Sequence, residues 1–108
     1  MRRALSVSRV AVAPEREADY LAAVGELAAL TARRGGHIWV FRSTREPHVF
    51  LEFSESPSAM SHRVHASRTQ EELRLEARLR EVATYAPGSW DLWEEVPLDA
   101  RRDARSDR

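Results

Sequence analysis

His37 to Ser54 reads HIWVFRSTREPHVFLEFS, and this stretch decides the fold. Two runs rich in β-branched and aromatic residues, His37–Arg42 and His48–Ser54, flank the polar link Ser43-Thr44-Arg45-Glu46-Pro47. That pattern predicts two strands joined as an antiparallel hairpin. A strand with one face in water alternates apolar and polar residues cleanly. Here His37, Trp39 and Phe41 stand on one face of the first run, with Ile38 and Val40 on the other. In the second run Phe50 and Glu52 oppose Val49, Leu51 and Phe53. Both faces carry large apolar groups, so both need cover.

Working outward, Gly35-Gly36 precedes the hairpin and supplies the left-handed cap that ends a helix. Glu15 to Arg34 holds Tyr20, Leu21, Val24, Leu27, Ala28 and Leu30 at helical spacing. Glu15, Glu17 and Asp19 at its start and Arg33 and Arg34 at its end suit the helix dipole. Leu5 to Ala13 (LSVSRVAVA) alternates and is rich in Val, which predicts a first strand ended by Pro14. After the hairpin, Ser56-Pro57 is a cap and first-turn signal. Thr69-Gln70-Glu71-Glu72 has the capping-box form that restarts a helix, continued by Leu73, Leu75, Leu79 and Val82 and stopped by Pro87-Gly88. Ser89 to Val96 (SWDLWEEV) predicts a fourth strand. Asp99 to Arg108 is a polar tail expected to be mobile.

The order β-α-β-β-α-β is the ferredoxin-like arrangement. It predicts one α+β domain over residues 1–98, an antiparallel four-stranded sheet with both helical regions on one face. The opposite face would then expose its aromatics, and a second copy of the chain is the expected cover.

Composition narrows the function classes. The 108 residues carry 17 basic and 17 acidic side chains, every basic one Arg, for a net charge of zero. A dedicated nucleic-acid binder usually shows a strongly basic domain, so no nucleic-acid partner is expected. Zero Cys excludes a disulfide framework, a Cys-ligated zinc site and a thiol nucleophile. Arg9 interrupts the first apolar stretch, so no secretory leader is read. No window reaches the ~18 apolar residues of a membrane span. The expectation is a cytoplasmic protein without a membrane partner.

Three short segments carry a resemblance: Ala13-Pro14-Glu15 after the first strand, Glu46-Pro47 with Val49-Phe50-Leu51-Glu52 on the hairpin, and Ser56-Pro57-Ser58-Ala59 opening the second helical region. With the element order over about residues 5–97, the chain resembles the dimeric α+β barrel superfamily. It is most similar to the antibiotic biosynthesis monooxygenase-like domains. The resemblance implies two ferredoxin-like subunits packed sheet against sheet, each with a pocket between its own sheet and helices. It also implies a site with an acidic residue at the hairpin's end, an aromatic shortly after, and a His in the next helix. Glu52, Phe53 and His62 match that set, with Phe53 one residue early. The family includes oxygenases, isomerases and haem-handling proteins, so the resemblance selects no single reaction.

The candidate catalytic residues are His37, Glu52 and His62, and the candidate ligand-binding residues are Tyr20, Trp39, Phe50, His65 and Trp90. His37, Trp39 and Glu52 are read as sharing one face, with His48 and Phe50 beside them. There an imidazole and a carboxylate walled by aromatics could transfer protons. The competing account makes Trp39 and Phe50 interface core. His62 and His65, spaced i,i+3, could hold a first-row metal with Glu52 or Glu55. The sequence fixes no third ligand, so neither a metal nor a cofactor is expected. Tyr20, Arg42, Tyr85 and Arg9 are the remaining polar candidates, Arg9 expected to pair with Glu94 or Glu95. No phosphate loop and no nucleophile elbow is present.

Two readings follow. One is a homodimer that binds a hydrophobic or aromatic small molecule, as a cofactor-independent monooxygenase or isomerase. The other is a non-enzymatic ligand-binding or accessory dimer of the same fold. A pocket with convergent polar groups of perturbed protonation favours the first.

Overall fold

The computed structural model describes residues 2–58 and 69–98. Strand β1 (Ala4–Val12) leads through a single helical turn (Pro14–Arg16) into helix α1 (Glu17–Ala32). The hairpin strands β2 (His37–Arg42) and β3 (Val49–Ser56) follow, then helix α2 (Gln70–Val82) and the short strands β4 (Ala83–Tyr85) and β5 (Trp93–Glu94). All pairings are antiparallel. The spatial order is β2-β3-β1-β4, with β5 also on β1. This is the ferredoxin-like α+β sheet that the element order predicts.

The helix signals act as read. Gly35 takes a φ of 82°, the left-handed conformation that closes α1. At Gly36 a Cβ would lie 2.7 Å from Thr31 Cγ2 and 2.9 Å from the Glu55 carbonyl oxygen, so only glycine lets the helix end approach β3 this closely. Thr69 and Glu72 form the full capping box of α2. Glu72 is buried and also pairs with Arg34, tying the start of α2 to the end of α1.

The core lies between the sheet and the helices. Val10, Val12 and Phe50 from the sheet meet Tyr20, Ala23, Val24 and Leu27 of α1 and Leu75, Leu79 and Val82 of α2. The helical residues fall at i, i+3, i+4 and i+7, the stripe that one helix face buries. The register fixes the faces. Val10 opposes Phe50, Ser8 opposes Glu52, and Val40 opposes Glu52 from the other side. These residues therefore share the inner face, because directly paired residues point the same way. His37 opposes Glu55, Trp39 opposes Phe53 and Phe41 opposes Leu51 on the outer face.

The carboxy-terminal third departs from the sequence reading. Helix α2 ends at Val82, before Pro87-Gly88, because Ala83 turns extended (φ −141°, ψ 151°) and starts β4. The expected strand over Ser89–Val96 shrinks to Trp93–Glu94. The physical cause is the intervening turn, where Gly88 is left-handed (φ 80°) and Pro87 offers no N–H to the ladder. The fourth-strand position is thus split, β4 lying beside Val10–Val12 and β5 beside Ala4–Leu5. Arg9 points to the outer side and pairs with Glu46 of the hairpin link, not with Glu94 or Glu95. Ser56, expected to cap the second helical region, instead ends β3 opposite Ala4, and Pro57 and Ser58 are not helical; residues 59–68 and the tail from Asp99 lie outside the described residues.

Candidate functional site

Three elements converge on one carboxylate. Glu52 sits mid-strand on β3 and faces inward, where its neighbours across β1 and β2 are Ser8 and Val40. Tyr20 comes from the first turn of α1, on the same stripe as Ala23, Val24 and Leu27. Tyr85 comes from β4, opposite Val10 and so on the inner face too. Both phenol hydroxyls donate to Glu52 Oε2 at 2.9 Å. Among the described residues Oε1 accepts neither of them.

Burial decides the protonation of this cluster. It pushes the Glu52 carboxyl above the ordinary carboxylate value, while the hydrogen bonds from Tyr20 and Tyr85 pull it back in part. Burial and then the Glu52 charge push both phenols well above their ordinary value, so they stay protonated and remain donors. A carboxyl held above its usual range with one oxygen tied by two fixed donors is equipped to take and return a proton.

The surroundings of Glu52 differ from one end to the other. On one side lie Phe50, which packs on Tyr20 with ring centroids 5.3 Å apart, and Val10. On the other, β1 and β3 present Ser6, Ser8 and Ser54, with Ser6 directly opposite Ser54. Ser8 Oγ donates to the Ser89 carbonyl at 2.9 Å, holding the β4–β5 turn against the sheet. Trp90 on that turn stacks on Tyr85, centroids 5.4 Å apart and 27° between planes.

The expected shared face of His37, Trp39 and Glu52 is not formed. His37 and Trp39 lie on the outer face, stacked on each other at 5.6 Å, while Glu52 and Phe50 lie on the inner one. His37 Nδ1 instead meets Glu55 Oε1 at 3.0 Å, and Arg3 binds the other Glu55 oxygen at 2.9 Å. His48 is also apart from Glu52. It adopts a left-handed φ of 62° in the hairpin link and meets Glu17 at 3.3 Å, beside the Arg42–Glu17 pair at 2.5 Å. The hydrogen bond from Arg42 chiefly, and then the contact with His48, hold Glu17 below the usual carboxylate range. Arg42 also lies 5.4 Å over the Phe50 ring.

Of the ligand-binding candidates, Tyr20, Phe50 and Trp90 belong to the neighbourhood of Glu52, and Trp39 does not. His62 and His65 lie outside the described residues, and with them the metal reading. Among the described residues no three His, Asp or Glu are grouped to hold a metal ion. Tyr85 acquires a role that sequence reasoning did not give it. Placed before Pro87-Gly88 and read as helix, it could not be set on a sheet face. Its signal was the Ala-Thr-Tyr run after Val82, a short strand with a polar-tipped aromatic.

No family model and no curated protein matches the sequence. Solved structures do match the fold. SnoaB, a cofactor-independent oxygenase from Streptomyces nogalater, superposes with a TM-score of 0.68 at 17% identity, over 90% of this chain and 94% of that one. A protein from Caulobacter crescentus, provisionally named an antibiotic biosynthesis monooxygenase, gives 0.70 at 17% identity, over 89% and 92%. Another of that name from Bordetella bronchiseptica gives 0.66 at 21% identity, over 91% and 99%. The chain therefore has the α+β fold of the antibiotic biosynthesis monooxygenase-like proteins.

Proposed function

We propose that this chain is a cytoplasmic homodimer that binds a hydrophobic or aromatic small molecule against the inner sheet face and removes a proton from it, as a cofactor-independent monooxygenase. The observation that carries this reading is the Glu52 carboxylate with Tyr20 and Tyr85 donating at 2.9 Å. Proton removal is the step Glu52 supports, and the two phenols hold the carboxylate in place for it. An oxygenase without a cofactor must draw its electrons from the ligand. For an activated methylene the balance is R2CH2 + O2 → R2CO + H2O, with the carbon oxidised and dioxygen reduced. Glu52 takes the first proton, and the carbanion's electrons go to dioxygen. The fold shared with SnoaB, itself a cofactor-independent oxygenase, supports the same reading. Were the proton returned to another carbon, the protein would be an isomerase. Oxygen uptake separates the two.

The dimer rests on the outer face. Trp39, Phe41 and Leu51 are exposed there, at 44%, 58% and 38%, and Phe41 meets Phe53 edge-on at 5.5 Å. Trp93 pairs with outward-facing Leu5 at the sheet's other side and is 62% exposed. A monomer that left these aromatics in water would carry a patch prone to association. A second copy buries them. A Cys-free chain needs no oxidising compartment, and among the described residues no helix is long and apolar enough to cross a membrane.

The test is calorimetric titration with 2-naphthol, followed by oxygen-electrode traces with aromatic ketones bearing an activated methylene. The proposal expects naphthol binding that weakens at least tenfold in Glu52→Gln, and oxygen uptake that needs Glu52. Absence of both binding and uptake refutes it.

A further inference from the structure

The chain has two tyrosines, Tyr20 and Tyr85, and both donate to Glu52 Oε2 at 2.9 Å. Their aromatic neighbours differ. Phe50 packs on Tyr20, which is fully buried. Trp90 stacks on Tyr85, with centroids 5.4 Å apart and 27° between planes, and is 64% exposed. An indole gives up an electron far more readily than a phenyl ring, so Tyr85 is the phenol in contact with a ring that can exchange electrons. Of the three tryptophans, Trp39 and Trp93 stand on the outer face of the sheet, away from Glu52.

The turn that carries Trp90 is fixed to the sheet. Ala86 N donates to the Arg9 carbonyl at 2.9 Å, and Ser8 Oγ to the Ser89 carbonyl at 2.9 Å. Ser89, next to Trp90, is 1% exposed. The indole is thus open to solution while its contact with Tyr85 is held. Exposed indole, stacked phenol and buried carboxylate follow one another without a gap.

Oxidation turns a phenol into a strong acid, so a buried tyrosine gives up an electron only where a base takes its proton. A phenol radical cation left unpaired in this core would be a buried charge, which is costly. With Glu52 ionised, moving the proton across the 2.9 Å hydrogen bond leaves a neutral phenoxyl and a neutral acid. Burial favours the protonated form of Glu52 and so favours this transfer.

We infer that Trp90, Tyr85 and Glu52 form a redox relay that passes single electrons between a one-electron redox partner at the surface and the inner sheet face. A surface oxidant of the outer-sphere metal-complex class takes one electron from Trp90 and is itself reduced. The oxidised indole takes one electron from Tyr85, whose proton passes to Glu52. Trp90 is then restored, Tyr85 is a phenoxyl radical and Glu52 is protonated. One electron has left the protein and one proton has moved within it. A one-electron reductant reverses the sequence, with Glu52 returning the proton. The relay needs no ligand, so it goes beyond the proposed oxygenase and stands or falls separately from it.

The experiment is laser flash–quench on the full chain, with photogenerated tris(bipyridine)ruthenium(III) as oxidant and hexaammineruthenium(III) as quencher. Transient absorption follows the indole and phenoxyl radicals, and electron paramagnetic resonance identifies them in freeze-trapped samples. Wild type is expected to form a phenoxyl radical as the indole radical decays, more slowly in heavy water and more slowly as falling pH protonates Glu52. Tyr85→Phe should abolish the phenoxyl and prolong the indole radical. Trp90→Phe and Glu52→Gln should each slow phenoxyl formation at least tenfold, and Trp93→Phe should not. A phenoxyl that survives Tyr85→Phe belongs to Tyr20 and overturns the assignment. A full rate in Trp90→Phe means that the oxidant reaches Tyr85 directly, and a full rate in Glu52→Gln that the proton leaves elsewhere. Either result overturns the relay, as does a wild type that forms no phenoxyl.

Discussion

Replacing Tyr85 with Phe removes one oxygen atom and tests the site's electrostatics. Tyr85 donates to Glu52 Oε2 at 2.9 Å on the buried inner face. A hydrogen bond to a charged group contributes about 1.5–3 kcal/mol, and one between neutral groups about 0.5–1.5 kcal/mol. With Glu52 ionised, the variant should lose ~2 kcal/mol. With an unfolding entropy of about 2.1 cal/mol/K per residue, that corresponds to ~9 °C in Tm for a chain of this length. The sign of the pH dependence follows from linkage. The Tyr85 hydrogen bond lowers the Glu52 pKa, so its removal raises that pKa further in the folded state. The variant's deficit is therefore largest above the titration of Glu52 and shrinks as pH falls through it. Urea unfolding at pH 8 and pH 4 measures both numbers. A deficit below about 0.5 kcal/mol at pH 8, or an equal deficit at both pH values, refutes the reasoning.

Three further outcomes follow from the same geometry. Because burial raises the folded-state pKa of Glu52, the stability of wild type relative to Glu52→Gln should fall as pH rises past the ordinary carboxylate pKa and level off above the folded one. Each tenfold gain in the carboxylate's proton affinity on folding contributes ~1.4 kcal/mol to that fall; a flat difference between pH 4 and 8 counts against it. Gly36→Ala would push a Cβ to 2.9 Å from the Glu55 carbonyl oxygen, and chemical denaturation should show a loss of about 1–3 kcal/mol from the forced shift. Phe41→Glu places a charge amid the outer-face aromatics, and sedimentation equilibrium should move from twice the 12.3 kDa chain mass to a single chain; a wild type that already sediments as one chain removes the dimer.

The fold was legible in the hairpin because alternation and turn chemistry are local. Tyr20, Val24 and Leu27 mark the buried stripe of α1 by spacing alone, and Thr69 with Glu72 marks the start of α2 by its side chains. Which residues share a sheet face is not local. It depends on the register across the link from Ser43 to His48, and a one-residue slip exchanges the faces. The observed register pairs odd residues with odd ones, Trp39 with Phe53 and His37 with Glu55, so Glu52 joins Val40 on the opposite side. His48, at a positive φ, is where the link turns, and that conformation is rarely adopted by a non-glycine residue. Glu52 and Tyr85 were both recognisable as polar candidates, but their pairing was hidden by the early end of α2. That end depends on β1 offering Val10 and Val12 as an edge for Ala83–Tyr85, a tertiary contact no local pattern encodes.

The central claim is that Glu52 is a buried carboxyl poised to exchange a proton. Carbon-13 NMR titration of its side-chain carboxyl measures this directly. An apparent pKa above the ordinary 4.5 is the predicted result, rising again in Tyr85→Phe. A carboxyl that titrates at or below 4.5 in the wild type, unmoved by loss of the phenol, would contradict it.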